Sequence, residues 1–144
     1  MLMKCQNCDE TAVVMSQQAF CKSNFVDYFE KKVADTIKKH NLLKKDERIA
    51  VAASGGKDST ALMLVLKRLG YDFDAIAIDE GIEGYRAHTL TDLKKFCKQK
   101  KIPLKIYSYK KEFGMALDEM LKKLGEKPCR VCGVFRRYLL NKKT

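Results

Sequence analysis

The sequence predicts an α/β fold built on a parallel, doubly wound sheet, and three observations carry that prediction. From residue 48 onward, apolar runs of strand length alternate with amphipathic helical stretches. The first run, Arg48-Ile49-Ala50-Val51-Ala52-Ala53, opens at once into Ser54-Gly55-Gly56-Lys57-Asp58-Ser59 and then into a helix. The order strand, helix, strand, helix, strand calls for right-handed crossovers, which leave successive strands parallel.

Residues 4–22 form a small cysteine module ahead of this pattern. Cys5-x-x-Cys8 is followed after twelve residues by Cys21. Ala12-Val13-Val14-Met15 and Ala19-Phe20 lie between, as in a short hairpin that holds metal ligands at its base. Ser23 or Asn24 is placed to cap the next helix. In that helix Phe25, Phe29, Val33 and Ile37 share one stripe, and Lys38-Lys39-His40 sit where a helix C-terminus favours positive charge. The expected organisation is a module over 1–24, a linking helix over 25–47 and an α/β domain over 48–144.

In that domain the run 48–53 is expected as a central strand buried on both faces. A helix over 58–69, with Leu62, Val65, Leu66 and Leu69 on its apolar stripe, stops at Gly70. A strand over 73–79 leads into the loop Asp79–Arg86. A helix over 87–100 places Leu90, Leu93 and Cys97 on one stripe, which makes Cys97 a core residue. A strand over 103–108, a helix over 115–124 closed by Gly125, and a last helix over 131–142 follow. Three strands make an incomplete sheet for such a fold, with the missing part on the C-terminal side.

The 144 residues hold 29 basic and 18 acidic side chains, a net charge of +11. The excess is uneven: residues 121–144 hold eight basic side chains and one acidic one. Such a focus suits a polyanion, RNA above all, against the plainer alternative of a solvated lysine-rich face. No leader peptide is recognisable at Met1-Leu2-Met3-Lys4, and no apolar run approaches the roughly 18–20 residues of a membrane span. We therefore expect a cytoplasmic chain with no membrane partner, in which paired cysteines serve metal or redox chemistry and not structural disulfides.

Ser54–Ser59 reads as a phosphate cradle. A strand that turns on glycines into a helix aims free backbone N–H groups and the positive end of the helix dipole at an anion. Lys57 adds charge, and Ser54 and Ser59 add hydroxyl donors. The spacing is not that of the G-x-x-x-x-G-K-[ST] loop. Asp79 and Glu80 follow the next strand, at the same end of the sheet, where ligands of such folds bind; the alternative for them is that of exposed loop acids. Cys129-x-x-Cys132 opens the last helix beside Lys127, Arg130 and Arg136, a setting for a soft metal centre, for sulfur handling or for a redox pair. Arg136 lies one turn beyond Cys132. His40 and His88 have no ligand partner at suitable spacing and are expected at the surface.

Three segments together carry a family resemblance. Ser54-Gly55-Gly56-Lys57-Asp58-Ser59 resembles the pyrophosphate loop of the N-type ATP pyrophosphatases, the PP-loop superfamily. Ile78-Asp79-Glu80-Gly81-Ile82 with Gly84-Tyr85-Arg86, and Pro128-Cys129-Arg130-Val131-Cys132-Gly133 with Arg136-Arg137-Tyr138-Leu139, resemble its TtuA-like and cytoplasmic tRNA 2-thiolation branch. The resemblance implies a Rossmann-like, adenine nucleotide alpha hydrolase-like sheet and ATP-dependent synthesis of tRNA 2-thiouridine. In that reaction the uridine C2 carbonyl is adenylated with release of pyrophosphate, and sulfur is then transferred.

Ala52 and Ile78 would line the base and ribose, Ser54, Gly55, Gly56, Lys57, Asp58 and Ser59 the phosphates, and Arg136 would contact ATP. Asp58 would be a Mg²⁺ partner or catalytic carboxylate beside Lys57. Cys129 and Cys132 would hold a [4Fe–4S] cluster with a third cysteine that these residues do not include. Lys122, Lys123, Lys127, Arg130, Arg137, Lys142 and Lys143 would hold the tRNA backbone. The sulfur would come from a ubiquitin-like carrier protein.

The family continues into a Gly-His-Asn-x-Asp-Asp segment, so the chain is expected to represent the N-terminal half of a member. The expected assembly is a homodimer, or a complex with a second subunit that supplies the missing half. The N-terminal pattern departs from the family, which has C-x-x-C followed by C-x-x-H or C-x-x-C. Here Cys5, Cys8 and Cys21 are followed by Asn24, so zinc would be held with water, with a neighbour such as Asp27, or lost. The alternatives to uridine thiolation are another adenylating enzyme of the same fold (2-thiocytidine synthesis or amidation) and a non-catalytic assembly subunit.

Overall fold

The computed structural model describes residues 3–15 and 18–144, which fall into two compact units, Met1–Lys45 and Asp46–Thr144. In the first unit, β1 (Val14–Met15) and β2 (Ala19–Phe20) pair antiparallel, and α1 (Lys22–His40) follows directly. Phe20 is buried and stacks on Tyr28 with ring centroids 4.8 Å apart, which anchors the hairpin to the helix. The α1 stripe is only partly inward: Ile37 is buried and Phe29 is exposed. The expected cap is displaced. Cys21 is the N-cap, without a side-chain cap bond, because Ser23 and Asn24 turn to the cysteine sulfurs.

The second unit is built from β3 (Ile49–Ala52), α2 (Lys57–Arg68), β4 (Phe73–Asp79), α3 (Arg86–Lys100), β5 (Leu104–Ser108), α4 (Tyr109–Phe113), α5 (Leu117–Leu124) and α6 (Pro128–Lys143). The sheet order is β3-β4-β5, all parallel, with Val51 opposite Ala75 and Ile78 opposite Tyr107. The central strand is therefore β4, whose Ala75, Ile76, Ala77 and Ile78 are all buried. β3 was expected in that role. It lies at the edge of the described sheet, and Ala50 and Ala52 are exposed.

On α2 the buried residues are Met63, Val65 and Leu66, while Leu62 is exposed, so the apolar stripe is rotated from the expected one. α4 was not expected. Ser108 caps it, its Oγ accepting from the Lys111 N–H at 3.2 Å, and Gly114 ends it at φ 78°. This single turn drives Tyr109 fully into the core with Ile76, Ile78, Leu117, Met120, Val131 and Leu139. α6 starts at Pro128, three residues earlier than expected, because proline at the first helical position gives up no intrahelical bond.

Candidate nucleotide and metal sites

The carboxyl ends of β3 and β4 meet at one cleft in the second unit. Gly55 has φ 86°, and a Cβ there would stand 2.8 Å from the Thr89 carbonyl oxygen, so glycine is required twice over. The Ser54 hydroxyl accepts from the Gly56 N–H at 3.2 Å and lies 3.1 Å from the Ser59 hydroxyl. Ser59 and Thr60 hydroxyls donate to the Gly56 carbonyl at 3.1 and 2.7 Å. Gly56 is the N-cap of α2 and offers no side-chain cap, which leaves first-turn N–H groups for an incoming anion. Lys57 and Asp58 are exposed at this turn.

Arg86 fastens the two strand ends together. Its Nη1 donates to the Ser54 carbonyl at 2.5 Å, its Nε donates to the Ile78 carbonyl at 3.0 Å, and its Nη2 also donates to the Ile78 carbonyl. Arg86 Nε lies 2.8 Å from Glu80 Oε2, with both side chains buried. The second oxygen, Glu80 Oε1, pairs with Arg136 Nη2 at 2.7 Å. Arg136 Nη2 in turn donates to Cys132 Sγ at 3.1 Å. Burial works against the charge on Arg136, but Glu80 and Cys132 outweigh it and hold the guanidinium above its ordinary pKa.

Ser54, Ala52, Ile78, Glu80, Arg86 and Arg136 thus line one cleft of about 310 Å³. Ala52, Ile78 and Arg136, expected at the nucleotide, all border it. Glu80 is not the exposed loop acid of the alternative expectation: it is 3% exposed and doubly ion-paired. Asp79 is half-buried and accepts from the Gly81 N–H at 3.1 Å, closing the loop on itself.

The sequence marks Arg86 only through Gly84-Tyr85-Arg86 and assigns it no role. A guanidinium buried among carbonyls is a tertiary fact that no local spacing announces. Tyr109 was missed likewise; its hydroxyl donates to the Cys132 carbonyl at 3.0 Å and so fixes the turn carrying the second cysteine.

Cys129 is exposed and Cys132 half-buried on the first two turns of α6, and Cys97 is buried, its thiol pushed up by burial. Among the described residues no third ligand joins Cys129 and Cys132. Two thiols are too few for a metal–sulfur centre, so a centre at this pair would need donors beyond the described residues. Of the basic residues expected at RNA, Lys122, Lys123, Lys127, Arg130, Arg137 and Lys142 are exposed. Lys143 differs: it pairs with Glu112 at 3.0 Å and lies over the Tyr107 ring.

In the first unit Cys5, Cys8 and Cys21 bring their sulfurs within 4.8 Å of one another. Burial pushes the Cys5 thiol up, but backbone hydrogen bonds at Cys21 and Asn7 and the Asn24 amide outweigh it and bring the thiol down to about 6. At Cys8 a backbone hydrogen bond at Glu10 lowers the thiol, while burial and the two neighbouring sulfurs carry it up to about 11. Asp27 does not join this group, and His40 and His88 are exposed.

The family model of the PP-loop domain matches residues 26–126. The chain belongs to the PP-loop domain family. The turn at Ser54–Ser59 lies inside the matched span.

Among its relatives is the tRNA-5-methyluridine(54) 2-sulfurtransferase of Pyrococcus horikoshii, 41% identical over 143 residues, covering 97% of this chain and 46% of the relative. Cytoplasmic tRNA 2-thiolation protein 1 of Chlamydomonas reinhardtii is 40% identical over 149 residues, covering 96% of this chain and 42% of the relative. The PP-loop chain thus spans less than half the length of these two relatives.

A solved structure of the U34-tRNA thiolase NcsA from Methanococcus maripaludis with its [4Fe-4S] cluster superposes with TM-score 0.84 at 33% identity, over 97% of this chain and 48% of that one. The NH3-dependent NAD synthetase of Campylobacter jejuni, at 22% identity and TM-score 0.57 over 81% of this chain and 51% of that one, shares the fold. Within the described residues no helix is long and apolar enough to cross a membrane.

Proposed function

We propose that this PP-loop chain takes part in ATP-dependent tRNA 2-thiouridine synthesis in the cytoplasm. The observation that carries the reading is the run of contacts from the cradle to a cysteine: Ser54 to Arg86, Arg86 to Glu80, Glu80 to Arg136, and Arg136 to Cys132. It links the glycine turn at Ser54 to a thiol that touches Arg136, a residue of the cleft wall, and an amidating or purely scaffolding protein has no use for such a thiol. The names of the two relatives and of the 33%-identical solved structure, each a tRNA thiolation protein, support the same substrate class.

ATP would lie with its phosphates on the first-turn amides of α2 and its adenosine toward Ala52 and Ile78. The uridine O2 attacks the α-phosphorus, and pyrophosphate leaves along the cradle. Lys57 and the loop N–H groups would neutralise the charge that develops, and Asp58 would hold Mg²⁺ or act as a catalytic carboxylate. A sulfur nucleophile then displaces AMP.

Cys129 and Cys132 would hold two corners of a [4Fe–4S] cluster, which when bound supplies sulfur-binding chemistry beside Arg136. A ubiquitin-like carrier would deliver the sulfur. The exposed Lys122, Lys123, Lys127 and Arg130 would meet the tRNA backbone. Zinc in the first unit would serve Cys5, Cys8 and Cys21.

The test is tRNA-dependent pyrophosphate release from ATP. Lys57→Ala with Asp58→Ala should lower it by about 100-fold or more. The reading is overturned by release that the double variant leaves unchanged. It is equally overturned if the unaltered chain releases none, alone or with the remaining half of a relative supplied in trans.

A further inference from the structure

The N-terminal cysteine site has three thiols and, among the described residues, no fourth metal-binding side chain. Cys8 and Cys21 sulfurs lie 3.6 Å apart, and all three sulfurs lie within 4.8 Å of one another. Thiolates bound about 2.3 Å from one tetrahedral zinc stand roughly 3.8 Å apart, so the triad fits three corners of such a site. Among the described residues no other Cys, His, Asp or Glu joins it.

Asn24, on the first turn of α1, instead presents its amide nitrogen to Cys5 Sγ at 3.3 Å and to Cys8 Sγ at 3.2 Å. The Ser23 hydroxyl lies 3.3 Å from Cys21 Sγ. An amide that offers its N–H groups to two sulfurs turns its only metal-binding atom, the oxygen, away from them. Three thiolates with one Zn²⁺ keep a net charge of −1, which N–H and O–H donors offset as outer partners of a metal site do. Cys5 and Cys21 are buried and Cys8 is exposed, so the site is open to solvent on the Cys8 side.

We propose that Asn24 is a hydrogen-bond donor to the thiolates and not a ligand, and that the fourth zinc position is exchangeable and accepts a thiolate from outside the chain. A soft, three-sulfur set favours a fourth sulfur over an oxygen donor. The inference rests on the triad as a zinc site and is independent of the RNA reading.

The experiment uses the full chain carrying Cys129→Ser and Cys132→Ser, which leaves the N-terminal thiols and the buried Cys97. Metal-free protein is titrated with Co²⁺, and the thiolate-to-cobalt charge-transfer and visible bands are followed as a small alkyl thiol is added. The bands should move on thiol addition with Asn24 and with Asn24→Ala. They should stay fixed with Asn24→Cys, which fills the corner from within and tightens zinc binding about tenfold or more. Circular dichroism establishes that each variant retains its fold. Bands that ignore added thiol in the Asn24 protein overturn the exchangeable corner and leave the zinc site standing. Absence of charge-transfer bands overturns both.

Discussion

Glu80 holds Arg136 at 2.7 Å through a carboxylate whose side chain is 4% exposed, and the same carboxylate holds Arg86 with its other oxygen. One buried negative charge thus serves two guanidinium groups. Removing one partner of a buried pair strands the other without solvent. Glu80→Ala should therefore destabilise the chain by about 3 kcal/mol, and Glu80→Gln by less, read as the shift in urea midpoint at constant slope. Unaltered midpoints would show that the two arginines find other partners.

The two glycines of the cradle should respond differently to alanine. At Gly55 the positive φ and the nearby Thr89 carbonyl both exclude a Cβ. At Gly56, φ is −80° and the nearest atom to a new Cβ is the Ser54 hydroxyl oxygen at 3.4 Å. Gly55→Ala should cost about 1–2 kcal/mol in thermal or urea unfolding and abolish ATP binding by calorimetry. Gly56→Ala should cost less, about 0.5–1 kcal/mol because alanine is a poorer N-cap, with ATP binding only weakened.

Lys143 should behave unlike the other basic residues of the C-terminal region. It is committed to Glu112 and to the Tyr107 ring. In filter-binding titrations of tRNA at several salt concentrations, Lys122→Ala with Lys123→Ala should flatten the salt dependence by about two phosphate contacts. Lys143→Ala should leave that slope unchanged and lower stability by up to about 1 kcal/mol instead.

Tyr109→Phe keeps the ring contacts with Phe113 and Phe135 but removes the donor to the Cys132 carbonyl. A loss of about 1 kcal/mol is expected in chemical unfolding, together with faster amide exchange over the first turns of α6.

Much of the fold was legible because its signals are local. The β4 run, the Gly55-Gly56 turn and the glycines closing α2 and α5 each sit beside the element they delimit. The apolar run 48–53 was recognised as a strand, and it stands at the edge of the described three strands, where Ala50 and Ala52 are exposed. Hydrophobicity reports that a strand can be buried, while strand order depends on which neighbours are present. α4 is one turn long and shows no helical period to read. The cleft was legible through its loops, whereas its clasp was not: Glu80, Arg86 and Arg136 are separated in sequence, and acids and arginines ordinarily face water. Asn24 was noticed as an anomaly, but only coordinates show its amide nitrogen facing two sulfurs.

Arg86 ties the Ser54 and Ile78 carbonyls to one planar group, so the mouth of the cleft keeps its shape before any nucleotide arrives. Ligand entry then demands little ordering of backbone, and the entropy that a floppy glycine loop would surrender on binding has already been spent in folding. If the loop receives phosphate as proposed, part of that affinity is stored in a side chain thirty-odd residues away from it.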